Sequence, residues 1–144
     1  MINERKPFLI LISGGTCSEK STLTELLSNN CKKSNISVST FSTDDFYKTT
    51  KPPIDWDNPS SIHQEILQEK LKKILKREKT YYPKVEKKHK EGVTTELIFH
   101  NDVNLKNPND VVILEGVHAL QFEEIRKLAE GNGTEIMDQC WWRY

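Results

Sequence analysis

The sequence predicts an α/β fold in three layers, with helices on both faces of a parallel sheet. Two apolar runs carry much of this reading: "PFLILIS" at 7–13 and "DVVILEG" at 110–116. Both are nearly continuous rather than alternating, as expected of strands covered on both faces. Between them, Ile62, Ile66, Leu67, Leu71, Ile74 and Leu75 recur at helical spacing, which marks an amphipathic helix. Strand, helix, strand, helix, ribbon, strand, helix is the resulting order, and it describes an α/β domain.

The chain has 144 residues, enough for one domain, 1–144, with its own core. Lys and Arg total 21, as do Asp and Glu, so the formal net charge is zero. That balance argues against a nucleic-acid or membrane-surface partner, each of which calls for a basic excess. No stretch approaches the roughly 18 apolar residues of a membrane span. The start, "MINERKPFLILISGG", lacks a signal-peptide cleavage pattern, so a cytoplasmic location is expected. Cys17, Cys31 and Cys140 show neither zinc-site spacing nor a disulfide framework.

Taken in order, the first strand breaks at Gly14 and Gly15. A helix is expected from Lys20, with Leu23, Leu26 and Leu27 as its buried stripe, fading through "SNNCKKSN". "ISVSTFS", 36–42, reads as the second strand and ends at "TDDFYK". Asn58 before Pro59 resembles an N-cap, and Ser61 with Gln64 offers an alternative capping box. The Lys-rich remainder of the next helix reads as a solvated face. "TYYPKV" and "TTELIFH" flank "KKHKEG" as an antiparallel ribbon, where Pro83 favours an edge. After the 110–116 strand, a helix around "FEEIRKLAE" stops at Gly131. The tail "GNGTEIMDQCWWRY" shows no further strand pattern.

The turn after the first strand carries the chemistry. "GGTCSEKS" follows the phosphate-loop pattern G-x-x-x-x-G-K-[ST] from Gly14 to Lys20 and Ser21, with Glu19 in place of the second glycine. Gly14, Gly15, Thr16, Cys17, Ser18 and Glu19 would turn their backbone N–H groups into one concavity at a helix N-terminus. A polyphosphate fits such a cradle. Lys20 would reach the outer phosphates and Ser21 would offer its hydroxyl to Mg²⁺, with Thr22 in the same first turn. Asp44 and Asp45 end the second strand, and Glu115 ends the 110–116 strand. In parallel sheets that edge lines the ligand crevice. One carboxylate there can accept a proton from an attacking hydroxyl while another orients metal-bound water.

"GGTCSEKST", "STDDFYK", "DWDNPSSI" and "VVILEGVHAL" occur in the order seen in uridine–cytidine kinases and their nicotinamide riboside kinase relatives. The resemblance covers about residues 7–130 and implies a P-loop NTPase-like fold with ATP and Mg²⁺ as cofactors. It also implies phosphorylation of a nucleoside 5′-hydroxyl, uridine or cytidine, in pyrimidine salvage. By this likeness Asp44 is the general base, working beside Lys20, and Asp57 holds the ribose hydroxyls. Trp56 and Tyr47 pack the nucleoside, Glu115 lies near Mg²⁺, and His89, with Tyr81 and Tyr82 nearby, faces the base. A nicotinamide riboside kinase is the near alternative. An inactive nucleotide-binding regulator, partnering a full-length kinase, is the distant one.

Three departures from the family bear on activity. A carboxylate at Glu19, about 5 Å from one phosphate charge, costs roughly 3 kcal/mol at an effective dielectric of about 20. That is about a hundredfold in affinity. The match fades after "EEIRKLAE", and only Arg143 follows where the family carries further strands and an arginine-bearing lid. The expectation is a C-terminally truncated domain whose unpaired sheet edge favours a homo-oligomer, with Trp141 and Trp142 as candidate cover. The link between Asp44 and Asp57 holds only 12 residues, 45 to 56, which trims the nucleoside mouth.

Overall fold

The computed structural model describes residues 7–13, 19–131 and 136–138, with the backbone alone for 19–22, 130–131 and 136–138. Strands β1 (Phe8–Ser13), β2 (Val38–Ser42), β5 (Val111–Glu115) and β6 (Ile136–Asp138) form a parallel sheet in the order β2-β5-β1-β6. Strands β3 (Thr80–Lys90) and β4 (Val93–Lys106) form a separate antiparallel ribbon.

Residue alternation along β1 divides the core between the two sheet faces. Leu9 and Leu11 pack with Phe41, Val112 and Leu114 against helix α2 (Gln64–Leu75) and helix α3 (Glu123–Gly131). Ile10, Ile12 and Ile113 face Leu23 and Leu27 of helix α1 (Glu19–Lys33) on the other side. The three-layer arrangement therefore holds. Among the described residues, no helix is long and apolar enough to cross a membrane.

Several local expectations are corrected. Leu26 is 55% exposed, and Thr24 turns inward instead. At 100° per residue Leu26 and Thr24 flank the Leu23–Leu27 stripe at equal angles, so helical spacing alone does not choose which of them is buried. Helix α1 runs on to Lys33 through polar residues. Asn35, at φ 57°, ends it: its N–H bonds the Lys32 carbonyl and the Ile36 N–H bonds Cys31. These are the paired bonds of a Schellman closure.

Asn58 caps a separate 3₁₀ turn, Pro59–Ser61, rather than α2, which starts at Gln64 without a side-chain cap. The Ser61 hydroxyl donates to the Asp55 carbonyl at 2.7 Å, so the alternative capping box does not form. The expected solvated face of α2 is interrupted by Lys70, which is buried and bonded to Asp102 at 3.0 Å.

"KKHK" belongs to β3 rather than to a loop. The connection is just Glu91 and Gly92, both at positive φ (53° and 78°), the requirement of a tight hairpin turn. Pro83 sits in a register shift between Tyr82 and Lys84, where a residue without an N–H is tolerated. The tail does contain a strand: Ile136–Asp138 pairs with Leu11–Ser13 of β1. Three residues are too few for strand periodicity to be legible. β1 is thus paired on both sides, not left as an edge.

Candidate active site

Register places the chemistry along the C-terminal edge of the sheet. Glu115 stands level with Ile12 on one side and Ser42 on the other. Just past that level, β1 leads into residues 14–18, and α1 begins at Glu19. Gly14, Gly15, Thr16, Cys17 and Ser18 lie outside the described residues. Glu19, Lys20, Ser21 and Thr22 form the first turn of α1. A strand therefore ends before residues 14–18 and a helix begins after them, the order that a phosphate loop needs, and the last strand residues lie level with Glu115.

Gly116 lets this edge close. It has φ +148°, its N–H donates to the Ile12 carbonyl at 3.0 Å, and a Cβ on it would fall 1.8 Å from Thr43 Oγ1. Only a residue without a side chain admits that approach. The contact seats the 3₁₀ turn Thr43–Phe46 against the end of β5. Ser42 caps the turn, its Oγ accepting from the Asp44 N–H at 3.1 Å. Asp44 is exposed, Asp45 half-buried and Phe46 buried.

Asp45 faces the ribbon. The Tyr82 hydroxyl donates to Asp45 Oδ2 at 2.8 Å and accepts from the Ser42 N–H at 2.8 Å. Burial raises the Asp45 pKa above its ordinary value, and the charges of Asp44 and Glu115 add to the rise. The Tyr82 bond and Lys106 oppose it. Tyr82 is pushed above the ordinary tyrosine range by its own burial and by the Asp45 charge. Ser42 is level with Glu115, so Asp44 and Asp45, in the turn that follows Ser42, lie at the same sheet edge as Glu115.

The second part of the site forms around Tyr47, which is only 3% exposed. Burial, then the charges of Asp44 and Asp57, push its pKa up to about 12. The two carboxylates singled out for base and ribose thus act on one phenol. The Tyr47 hydroxyl donates to the Trp56 carbonyl at 2.8 Å, and the two rings meet edge-on at 5.1 Å. His118, fully buried, places Nε2 2.8 Å from that same carbonyl. The Trp56 ring remains 36% exposed, with the Lys87 ammonium 5.4 Å from its centroid.

The fold brings Asp44, Tyr47, Trp56, Asp57 and Glu115 into one region. His89 lies apart, near the ribbon turn, with Nδ1 3.4 Å from the Thr94 hydroxyl. Tyr82 is not available to a base as expected, because it is buried and its hydroxyl serves Asp45 and Ser42. Tyr81 is exposed. The sequence reading missed His118. Its one signal is a histidine directly after the β5 edge, in "EGVH", but a histidine alone does not announce a partner 62 residues away.

Comparison with known proteins adds to this geometry. No protein-family model matches the chain. Over 136 residues it is 29% identical to a uridine kinase of Ureaplasma parvum, covering 90% of this chain and 62% of that one. A Clostridium tetani uridine kinase is also 29% identical, at 88% and 59% coverage. The uridine-cytidine kinase 2-B of Danio rerio is 28% identical over 141 residues, at 86% and 50% coverage. The chain is thus similar to uridine kinases along most of its length. It spans less than two thirds of the length of these uridine kinases.

Solved structures agree on the fold. A "possible uridine kinase" from Bacillus stearothermophilus superposes with a TM-score of 0.58 at 20% identity, covering 88% of this chain and 68% of that one. A D-glycerate 3-kinase from Cryptococcus neoformans gives 0.51 at 24% identity, with 82% and 46% coverage. The shared element is the α/β kinase fold on which uridine kinases are built.

Proposed function

We propose that the chain carries out uridine-kinase-type chemistry, transferring the γ-phosphoryl group of ATP to the 5′-hydroxyl of uridine or cytidine. The observation that carries this reading is the likeness to uridine kinases over 90% of the chain, together with Asp44 in the turn that follows Ser42, level with Glu115 at the sheet edge. Asp44, exposed at the start of its turn, takes the 5′-hydroxyl proton. Asp57 holds the ribose hydroxyls, and the exposed Trp56 face packs the nucleoside.

By the phosphate-loop pattern, residues 14–22 would hold the triphosphate, with Lys20 serving the outer phosphates. Among the described residues, no group of three or more His, Cys, Asp or Glu forms a metal cage. Mg²⁺ in kinases rests chiefly on phosphate oxygens and water, with one or two protein ligands. Glu115 at the sheet edge and Ser21 in the first turn of α1 suit that demand. When bound, the ion neutralises developing phosphate charge. A cytoplasmic location follows from this reading.

Glu19 favours a second reading, an inactive relative that binds nucleoside or a longer kinase. Both are decided by incubating the protein with Mg-ATP and uridine, cytidine and nicotinamide riboside, then identifying any monophosphate. Uridine or cytidine monophosphate, lost in Asp44→Asn, is the expected product. Nicotinamide mononucleotide would reassign the substrate, and no product from either the wild type or Glu19→Gly would overturn the kinase reading.

A further inference from the structure

We infer that His118 is a positioning residue for the nucleoside, holding the Trp56–Asp57 segment in place against the end of β5. Its consequence for substrate rests on the kinase reading above, whereas the anchoring itself rests on geometry.

A carbonyl oxygen only accepts, so the 2.8 Å contact means that His118 Nε2 carries a proton and donates it to the Trp56 carbonyl. Nδ1 meets the side-chain amide of Gln121, which fixes the ring from its other side. The Tyr47 hydroxyl donates to the same carbonyl at 2.8 Å, so both lone pairs of that oxygen are engaged. The Tyr47 ring also meets the His118 ring edge-on at 6.0 Å.

The peptide unit is planar, so fixing the Trp56 carbonyl also fixes the orientation of the Asp57 nitrogen and Cα. Two hydrogen bonds therefore set where the Asp57 side chain begins. The segment has little else to hold it. Residues 51–53 and 55–58 are exposed, and only Ile54 among 51–58 is partly buried. The Ser61–Asp55 bond is a further polar anchor, but it joins the segment to its own downstream turn. His118, three residues beyond Glu115, ties it to the sheet edge that carries the proposed metal-side carboxylate. Sub-ångström placement of a substrate-binding group has large kinetic consequences, so this buried histidine acts on the sugar without touching it.

The test uses the full chain with Trp141→Phe and Trp142→Phe, which leaves Trp56 as the only tryptophan. His118→Ala is expected to raise the acrylamide quenching constant of Trp56 about twofold. It should also raise the nucleoside KM about tenfold, the ATP KM staying constant and kcat changing less than about threefold. His118→Gln, whose amide nitrogen can take the Nε2 position, should restore most of both values. Tyr47→Phe should reproduce the quenching change and gives an independent variant if His118→Ala does not fold. Unchanged quenching in both variants, or equal rises in nucleoside and ATP KM, would overturn the inference. If the wild type forms no monophosphate, the kinase reading fails on its own. The quenching comparison then still decides whether His118 anchors the segment.

Discussion

The Tyr82 hydroxyl donates to Asp45 Oδ2 at 2.8 Å, tying the ribbon to the turn that also carries Asp44. The same oxygen accepts the Ser42 N–H, and the Tyr82 ring packs edge-on against Phe41 and Phe46. One side chain thus joins β3, the end of β2 and the acidic turn. Tyr82→Phe keeps the ring and deletes both polar links. Leaving partly buried groups without partners costs about 1–3 kcal/mol, and a lower urea midpoint at unchanged slope would register it.

Asp45 makes stability depend on pH. Its folded pKa is raised above the ordinary 3.8, first by burial. The folded state therefore binds this proton more tightly than the unfolded chain does. The associated stability is complete below about pH 3.8 and is lost as pH rises through the folded value. Asp45→Asn removes the titration but keeps an oxygen for Tyr82. Relative to wild type, the variant should gain stability between pH 4 and pH 7; a difference that stays constant across that range would refute the assignment.

Gly116→Ala should be among the most damaging single-methyl changes in the chain. The new Cβ would meet Thr43 Oγ1 at 1.8 Å, and the backbone sits where side chains are strained. Overpacking of this kind costs about 1–3 kcal/mol. Removing the obstructing hydroxyl with Thr43→Ala should recover part of the loss, which a double-mutant cycle in urea would measure.

Lys70 and Asp102 are unequal partners, with side chains 6% and 61% exposed. Asp102→Ala strands a buried ammonium, whereas Lys70→Met replaces it with an apolar chain of similar length. The aspartate variant should therefore be the less stable of the two, by about 1–3 kcal/mol. Equal melting temperatures would show that Lys70 reaches water when its partner is gone.

Glu19→Gly should tighten Mg-ATP binding by up to about a hundredfold, by the Coulomb estimate for a carboxylate beside a phosphate. Calorimetric titration of both forms checks this. The gain should shrink at high salt if Glu19 already points into solvent.

The fold class was legible because buried strands and amphipathic helices repeat at different periods. The runs at 7–13 and 110–116 became adjacent parallel strands, and the Leu67, Leu71, Ile74 stripe went into the core. Asp44, Asp57 and Glu115 were legible as candidates because each closes a short motif near a strand end or turn. The shared sheet edge of Asp44 and Glu115 was legible too, but the close seating of the Asp44 turn against β5 was not, since it depends on Gly116 admitting Thr43. Tertiary structure alone decided that Tyr82 would serve Asp45 rather than a ligand, that Lys70 would be buried, and that His118 would meet the Trp56 carbonyl. The physical reason is separation along the chain. Periodicity and capping are written over a few neighbouring residues, whereas these contacts join positions 32 to 62 residues apart and exist only once the layers have packed.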